Sequence, residues 1–140
     1  MTEIATENVR GGALPLGQLA PFMQAVLDED WAPVVLCDLE HTILYMNPVA
    51  IERYGKRGGA ALVGRSLLDC HAPSSREIIE RVLEWFRADV SHNRVYEFRN
   101  DKENKDVYMI ALRNEAGELI GYYEKHEYRS AETDSLYHME

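Results

Sequence analysis

A strand that gives way within one residue to a very short helix constrains this chain more than any other feature. Thr42-Ile43-Leu44-Tyr45-Met46 is strand-like, and Asn47-Pro48-Val49-Ala50-Ile51-Glu52-Arg53-Tyr54-Gly55 follows at once. Asn47 suits a helix N-cap because its side-chain oxygen accepts an early backbone N–H. Pro48 suits the first helical position, where a missing donor costs nothing. Gly55 can take the left-handed conformation that stops a helix. Upstream, Pro33-Val34-Val35-Leu36-Cys37-Asp38 reads as another strand, so a hairpin forms around Leu39-Glu40-His41. A tight turn can require positive φ, a region that His41 tolerates better than most residues.

Three more strands and one long helix follow. Ser74 and Glu77 have capping-box spacing after Pro73, and Ile78, Ile79, Val82, Leu83, Trp85 and Phe86 form one broad apolar face. That helix should run to Arg87 or Ala88 and lie across the sheet. Val95 to Arg99 alternates, with Tyr96 and Phe98 on one face; Val107 to Arg113 and Leu119 to Tyr128 complete the set. The polar stretches at 100–105 and 114–118 have turn chemistry. Ahead of the first strand, Leu19, Phe22, Met23, Val26 and Leu27 recur at helical spacing.

The chain of 140 residues is expected to divide into a flexible arm (1–13), an N-terminal helix (14–31), one domain (32–128) and a polar tail (129–140). With 15 Lys+Arg against 24 Asp+Glu the net charge is −9, which argues against tracking nucleic-acid phosphates or docking on an anionic membrane. Cys37 and Cys70 form no disulfide framework, and no Cys/His zinc spacing occurs. The start of the chain lacks a basic-then-apolar signal layout, and no apolar run approaches the ~20 residues of a membrane span. The expected location is the cytoplasm.

The order β-β, short helices, long helix, β-β-β resembles that of PAS domains over about Ala32 to Tyr128. Within it, Val63-Gly64-Arg65-Ser66 resembles a family element after the short helices, with Gly64 at a backbone bend. The family usually has Gly near His41. Cys70-His71-Ala72-Pro73-Ser74-Ser75 resembles the Cys-His-x-Pro-x-Ser run of a subgroup of bacterial PAS domains. The resemblance implies an α+β fold: a five-stranded antiparallel sheet with short helices and one long helix on one face, plus the N-terminal amphipathic helix. It also implies a pocket between the inner sheet face and the long helix, which in relatives holds haem, flavin, small acids or lipids.

On that basis the ligand-binding candidates are Cys70, His71, Ile79, Val82, Leu83, Met109 and Ala111. His71 could be an axial haem ligand, since a neutral imidazole nitrogen binds haem iron well; the competing reading has it hydrogen-bonding at the start of the long helix. Cys70 and Cys37 read as structural thiols. The Asn-Cys-Arg-Phe-Leu-Gln run of flavin-adduct PAS domains is absent. Met46 and Ala50 stand where photoactive yellow proteins need Tyr and Glu, so covalent chromophore attachment is not expected. Asp69, Cys70 and His71 are consecutive and cannot easily converge on one substrate atom, and His41, His92, His126 and His138 read as surface residues, so no enzyme is expected. Arg113 and Lys125 read as solvated strand charges.

The expected role is that of a sensory or signalling domain binding a small molecule or cofactor and acting through protein–protein contacts. The chain is expected to be homodimeric and to signal to a separate downstream protein; its N-terminal helix reads equally as the dimer contact many PAS domains use and as a helix packed on its own sheet. A ligand-free dimerisation or interaction module is the alternative, then a haem-based gas or redox sensor using His71, with an enzyme last. A sensor needs a cavity of mixed polarity, whereas an interaction module needs a filled core.

Overall fold

The computed structural model describes residues 7–70 and 72–140. Helix α1 (Leu16–Asp28) leads to strands β1 (Val35–Asp38) and β2 (Ile43–Met46), then to the short helix α2 (Pro48–Arg53). Three 3₁₀ turns (Gly55–Arg57, Gly59–Leu62 and Leu67–Cys70) carry the chain to the long helix α3 (Pro73–Ala88). Strands β3 (Arg94–Asn100), β4 (Lys105–Arg113) and β5 (Leu119–Tyr128) close the domain. They form one five-stranded sheet in the order β2-β1-β5-β4-β3, every neighbouring pair antiparallel. This is the expected α+β architecture, with strand and helix positions close to those read from the sequence.

The β1–β2 hairpin turns on His41, which takes the anticipated left-handed conformation (φ 67°). Asp38 Oδ1 holds the turn by accepting from the N–H groups of Glu40 and Thr42, both at 2.9 Å. Asn47 then caps α2 as expected, its Oδ1 accepting from Ala50 N at 3.0 Å. Gly55 does not end that helix in a left-handed state; positive φ falls instead on Gly58 and Gly59, because Gly55 continues into a 3₁₀ turn. Gly64 does occupy a left-handed bend (φ 91°).

The inner face of the sheet is roofed by α3. Ile79, Leu83 and Phe86 are buried with Cys37, Ile43, Met46, Met109 and Tyr122 in one cluster. Each such side chain contributes about 1.5–3 kcal/mol of burial. Ile78 and Trp85, on the flanks of the helix's apolar face, stay exposed. The capping box is not realised. Pro73 occupies the first helical position and Ala72 the cap, so Ser74 lies inside the first turn, two residues too late to cap.

Two residues pin the frame where backbones meet. Gly121 sits opposite Asp38 where β5 joins β1; a Cβ there would lie 2.1 Å from the Cys37 carbonyl oxygen. Arg113 is no solvated charge. Its guanidinium donates to the carbonyls of Phe86 (2.6 Å), Asp89 (3.1 Å), His92 (3.2 Å) and Gly117 (3.0 Å), and to Asn93 Oδ1 (2.7 Å). A cation at the C-terminal end of α3 also complements the helix dipole.

Candidate functional site

A cavity of about 410 Å³ lies between the inner sheet face and the helices. Its apolar lining includes Val35, Ile43 and Met46 from the hairpin, Leu62 from a 3₁₀ turn, Ile78 and Ile79 from α3, and Met109 from β4. Ile78 and Phe98, both about half exposed, mark its solvent side. The polar lining comes chiefly from the last strand and a bulge in the third.

Tyr122, Glu124 and His126 alternate along β5, so all three share one face. Glu124 pairs with Met109 and His126 with Val107, both buried, which sets that face inward. In β3 the register slips between Tyr96 and Phe98. Tyr96 pairs with Tyr108, whereas Phe98 pairs with Val107, so the two aromatics lie on opposite faces. The single face expected for them fails because the extra residue of a bulge breaks the alternation. As a result both Glu97 and Phe98 line the cavity.

Two carboxyls therefore meet in a partly dry space. Burial pushes the Glu97 carboxyl up to about 9, reinforced by its hydrogen bond with Glu124 and by that residue's charge. Glu97 is protonated at neutral pH and donates to Glu124. Its Oε1 is fully buried and has no hydrogen-bond partner. His126 shows the complementary effect: burial, then the positive charges of Lys105 and Arg53, push it down to about 4. Its Nδ1 is also buried and unpartnered. Lys105 is itself buried (1% exposed), 3.4 Å from Glu103 Oε1, while Arg53 holds both Glu103 oxygens at 3.0 and 2.9 Å.

A hydrogen-bonded chain leads from the cavity wall to the outside of α3. The Tyr122 hydroxyl lies 2.7 Å from His41 Nδ1, and His41 Nε2 lies 2.6 Å from Glu80 Oε1. The tautomer protonated at Nε2 donates to Glu80 and accepts from Tyr122. His41 is thus a buried polar residue, 6% exposed, where a surface position was expected; positive φ turns its ring under α3. Burial pushes the Cys37 thiol up to about 12 despite its hydrogen bond with Tyr122, and burial raises Tyr122 in turn. Both stay protonated.

Of the seven candidates read from the sequence, Ile79 and Met109 line the cavity. Leu83 is fully buried in the core cluster, with Val82 and Ala111 packed against it. His71 and the Cys70 side chain lie outside the described residues. The residues missed were Glu97, Glu124 and His126. The signal available was the period-2 spacing of Tyr122, Glu124 and His126 opposite an apolar strand, and charged residues on that spacing read naturally as a solvated face.

The sequence matches the PAS domain family over residues 32–124. No curated protein matches it. Among solved structures, a C-terminal domain from Streptococcus mutans is similar at a TM-score of 0.61 and 23% identity, covering 89% of this chain and 92% of that one. The PAS domain of a Colwellia psychrerythraea protein is similar at 0.57 and 13% identity, covering 79% and 97%. The PAS domain of Bordetella pertussis BvgS is similar at 0.56 and 20%, covering 81% and 88%. At such identities the likeness is one of fold, and it agrees with the sequence match and the observed topology: the chain belongs to the PAS domain family.

Proposed function

We propose that this chain is a sensory module whose cavity takes a small molecule and whose occupancy is passed on by protein–protein contact. The observation that carries the reading is the space of about 410 Å³ whose wall is mostly apolar yet holds Glu97, Glu124 and His126. Two of these keep a buried polar atom without a partner. Leaving such atoms unpaired costs about 1–3 kcal/mol each, which a ligand would recover. A pure interaction module has no use for that cost.

Onward contact is assigned to α1 and to a separate downstream protein, with the chain acting as a homodimer in the cytoplasm. Support comes from α1 itself, whose Phe22, Met23 and Val26 are exposed. Among the described residues no helix is long and apolar enough to cross a membrane. The reading is non-catalytic: the cavity's thiol and buried phenol, Cys37 and Tyr122, are both held protonated and so are poor nucleophiles.

Haem on His71 gains no support from the donor set. The cavity presents two carboxyls to a group that would bring two more, and His71 is not among the described residues. Native mass spectrometry with an absorption spectrum of freshly purified protein tests the whole reading. Retained small-molecule mass, released by an Ile79→Trp substitution that fills the cavity, is the expected result. A Soret band would restore haem. An Ile79→Trp protein that keeps the bound mass would overturn the assignment of this cavity.

A further inference from the structure

We infer that the cavity selects an amine or amidinium cation carried on an apolar body, with the Glu97–Glu124 pair as its charge-reading end. The inference rests on the reading that this cavity binds a ligand, and it names the chemistry of that ligand.

The bulge in β3 brings Glu97 onto the inner face beside the row that holds Glu124. No lysine or arginine forms an ion pair with either carboxyl among the described residues. The cations nearby are otherwise engaged: Lys105 and Arg53 are held by Glu103. Arg57 lines the cavity from an exposed position. Two acids facing one dry space cannot both ionise without a positive counterpart. In the empty protein a single proton on Glu97 serves as that counterpart. A ligand N–H⁺ can replace it, donating to Glu97 Oε1 and to Glu124, and the displaced proton passes to solvent.

The other groups facing the pair fit this exchange. His126, across β4 from the bulge, is uncharged at neutral pH, so it does not repel a cation, and its free Nδ1 can accept one further N–H. Tyr54, Tyr122 and Phe98 bring aromatic rings to the same space, and ring faces attract cations. An anionic ligand would meet the acid pair directly. A neutral alcohol could bond to Glu97 but would leave the shared proton in place.

The test uses three shape-matched probes on the full chain: phenethylamine, phenethyl alcohol and phenylacetate. Isothermal titration at pH 7.5, in two buffers of different ionisation enthalpy, should show phenethylamine binding at least tenfold tighter than the other two. About one proton should be released per amine bound. Glu97→Gln and Glu124→Gln should each weaken the amine about tenfold or more, and Glu97→Gln, which has no carboxyl proton to give up, should abolish proton release. An unchanged near-ultraviolet circular dichroism spectrum certifies an intact fold in each variant.

Alcohol or phenylacetate binding as tightly as the amine, with Ile79→Trp blocking it, would overturn the inference while the ligand-sensing reading stood. An amine signal that persists in both Gln variants would overturn it too, marking adsorption to the acidic surface. No binding by any probe, together with no retained mass in the native spectrum, would remove both readings.

Discussion

Asn47 uses every hydrogen-bonding position that its side chain has. Oδ1 accepts from Val34 N (2.9 Å) and Ala50 N (3.0 Å), while Nδ2 donates to Leu27 O (2.9 Å) and Ala32 O (3.0 Å). One fully buried amide thereby joins the end of α1, the approach to β1 and the cap of α2. Asn47→Ala should cost about 3–5 kcal/mol, from lost bonds plus four orphaned backbone groups. Asn47→Asp keeps both accepted bonds but turns a carboxylate on two carbonyls, so it should not restore stability; urea unfolding of the two variants checks this. Glu97 and His126 predict opposite pH limbs. With its folded pKa raised from 4.5 to about 9, Glu97 binds more protons folded than unfolded between those values, so its effect is to lose stability as pH rises across that window. With its folded pKa lowered from 6.5 to about 4, His126 binds fewer protons folded, so stability is lost as pH falls across that range. Thermal unfolding at a series of pH values should show Glu97→Gln flattening the alkaline limb and His126→Gln the acid limb.

The element whose placement matters most is α3, because it separates a cavity from a collapsed sheet. Its apolar residues hold it from below, while at its C-terminal end Arg113 of β4 donates to the Phe86 and Asp89 carbonyls and His92 Nδ1 to that of Trp85. Arg113→Ala should destabilise by about 2–4 kcal/mol, since bonds from a charged donor are worth about 1.5–3 kcal/mol and several are lost together. Hydrogen exchange should quicken at the end of α3 and in the 89–93 turn before it does elsewhere. Arg113→Lys should recover little, because a point charge cannot reach five acceptors spread around a planar fork. The bulge in β3 works at the same scale. It adds one residue to the inner face, and that is how an acidic and an aromatic side chain from neighbouring positions line the same cavity.

For the molecule as a whole, the sheet and α3 make one core, and α1 contributes no fully buried residue to it. Phe22, Met23 and Val26 are exposed on a helix without a buried residue, and the proposed dimer would cover them. Phe22→Glu with Val26→Glu should therefore convert a dimer to a monomer in sedimentation while leaving the unfolding temperature nearly unchanged. An assembly state unaffected by the pair would place any dimer contact elsewhere.

Element order was legible from local chemistry: Asn47-Pro48 marks where β2 ends, and alternation finds the late strands within a residue or two of their observed limits. Helix α3 was legible from its period, because an apolar stripe can be buried in only one direction. The polar half of the cavity was not. Glu97, Glu124, His126 and His41 look solvated in a sequence, since a carboxyl or an imidazole carries no mark of which face a bulge or a left-handed residue will turn it toward. Arg113 likewise reads as a surface charge until the end of α3 is placed beside it. The order of strands and helices is set between near neighbours, so the sequence by itself determined it here; burial of a charge depends on strands and helices far apart in the chain, and only their packing decided that.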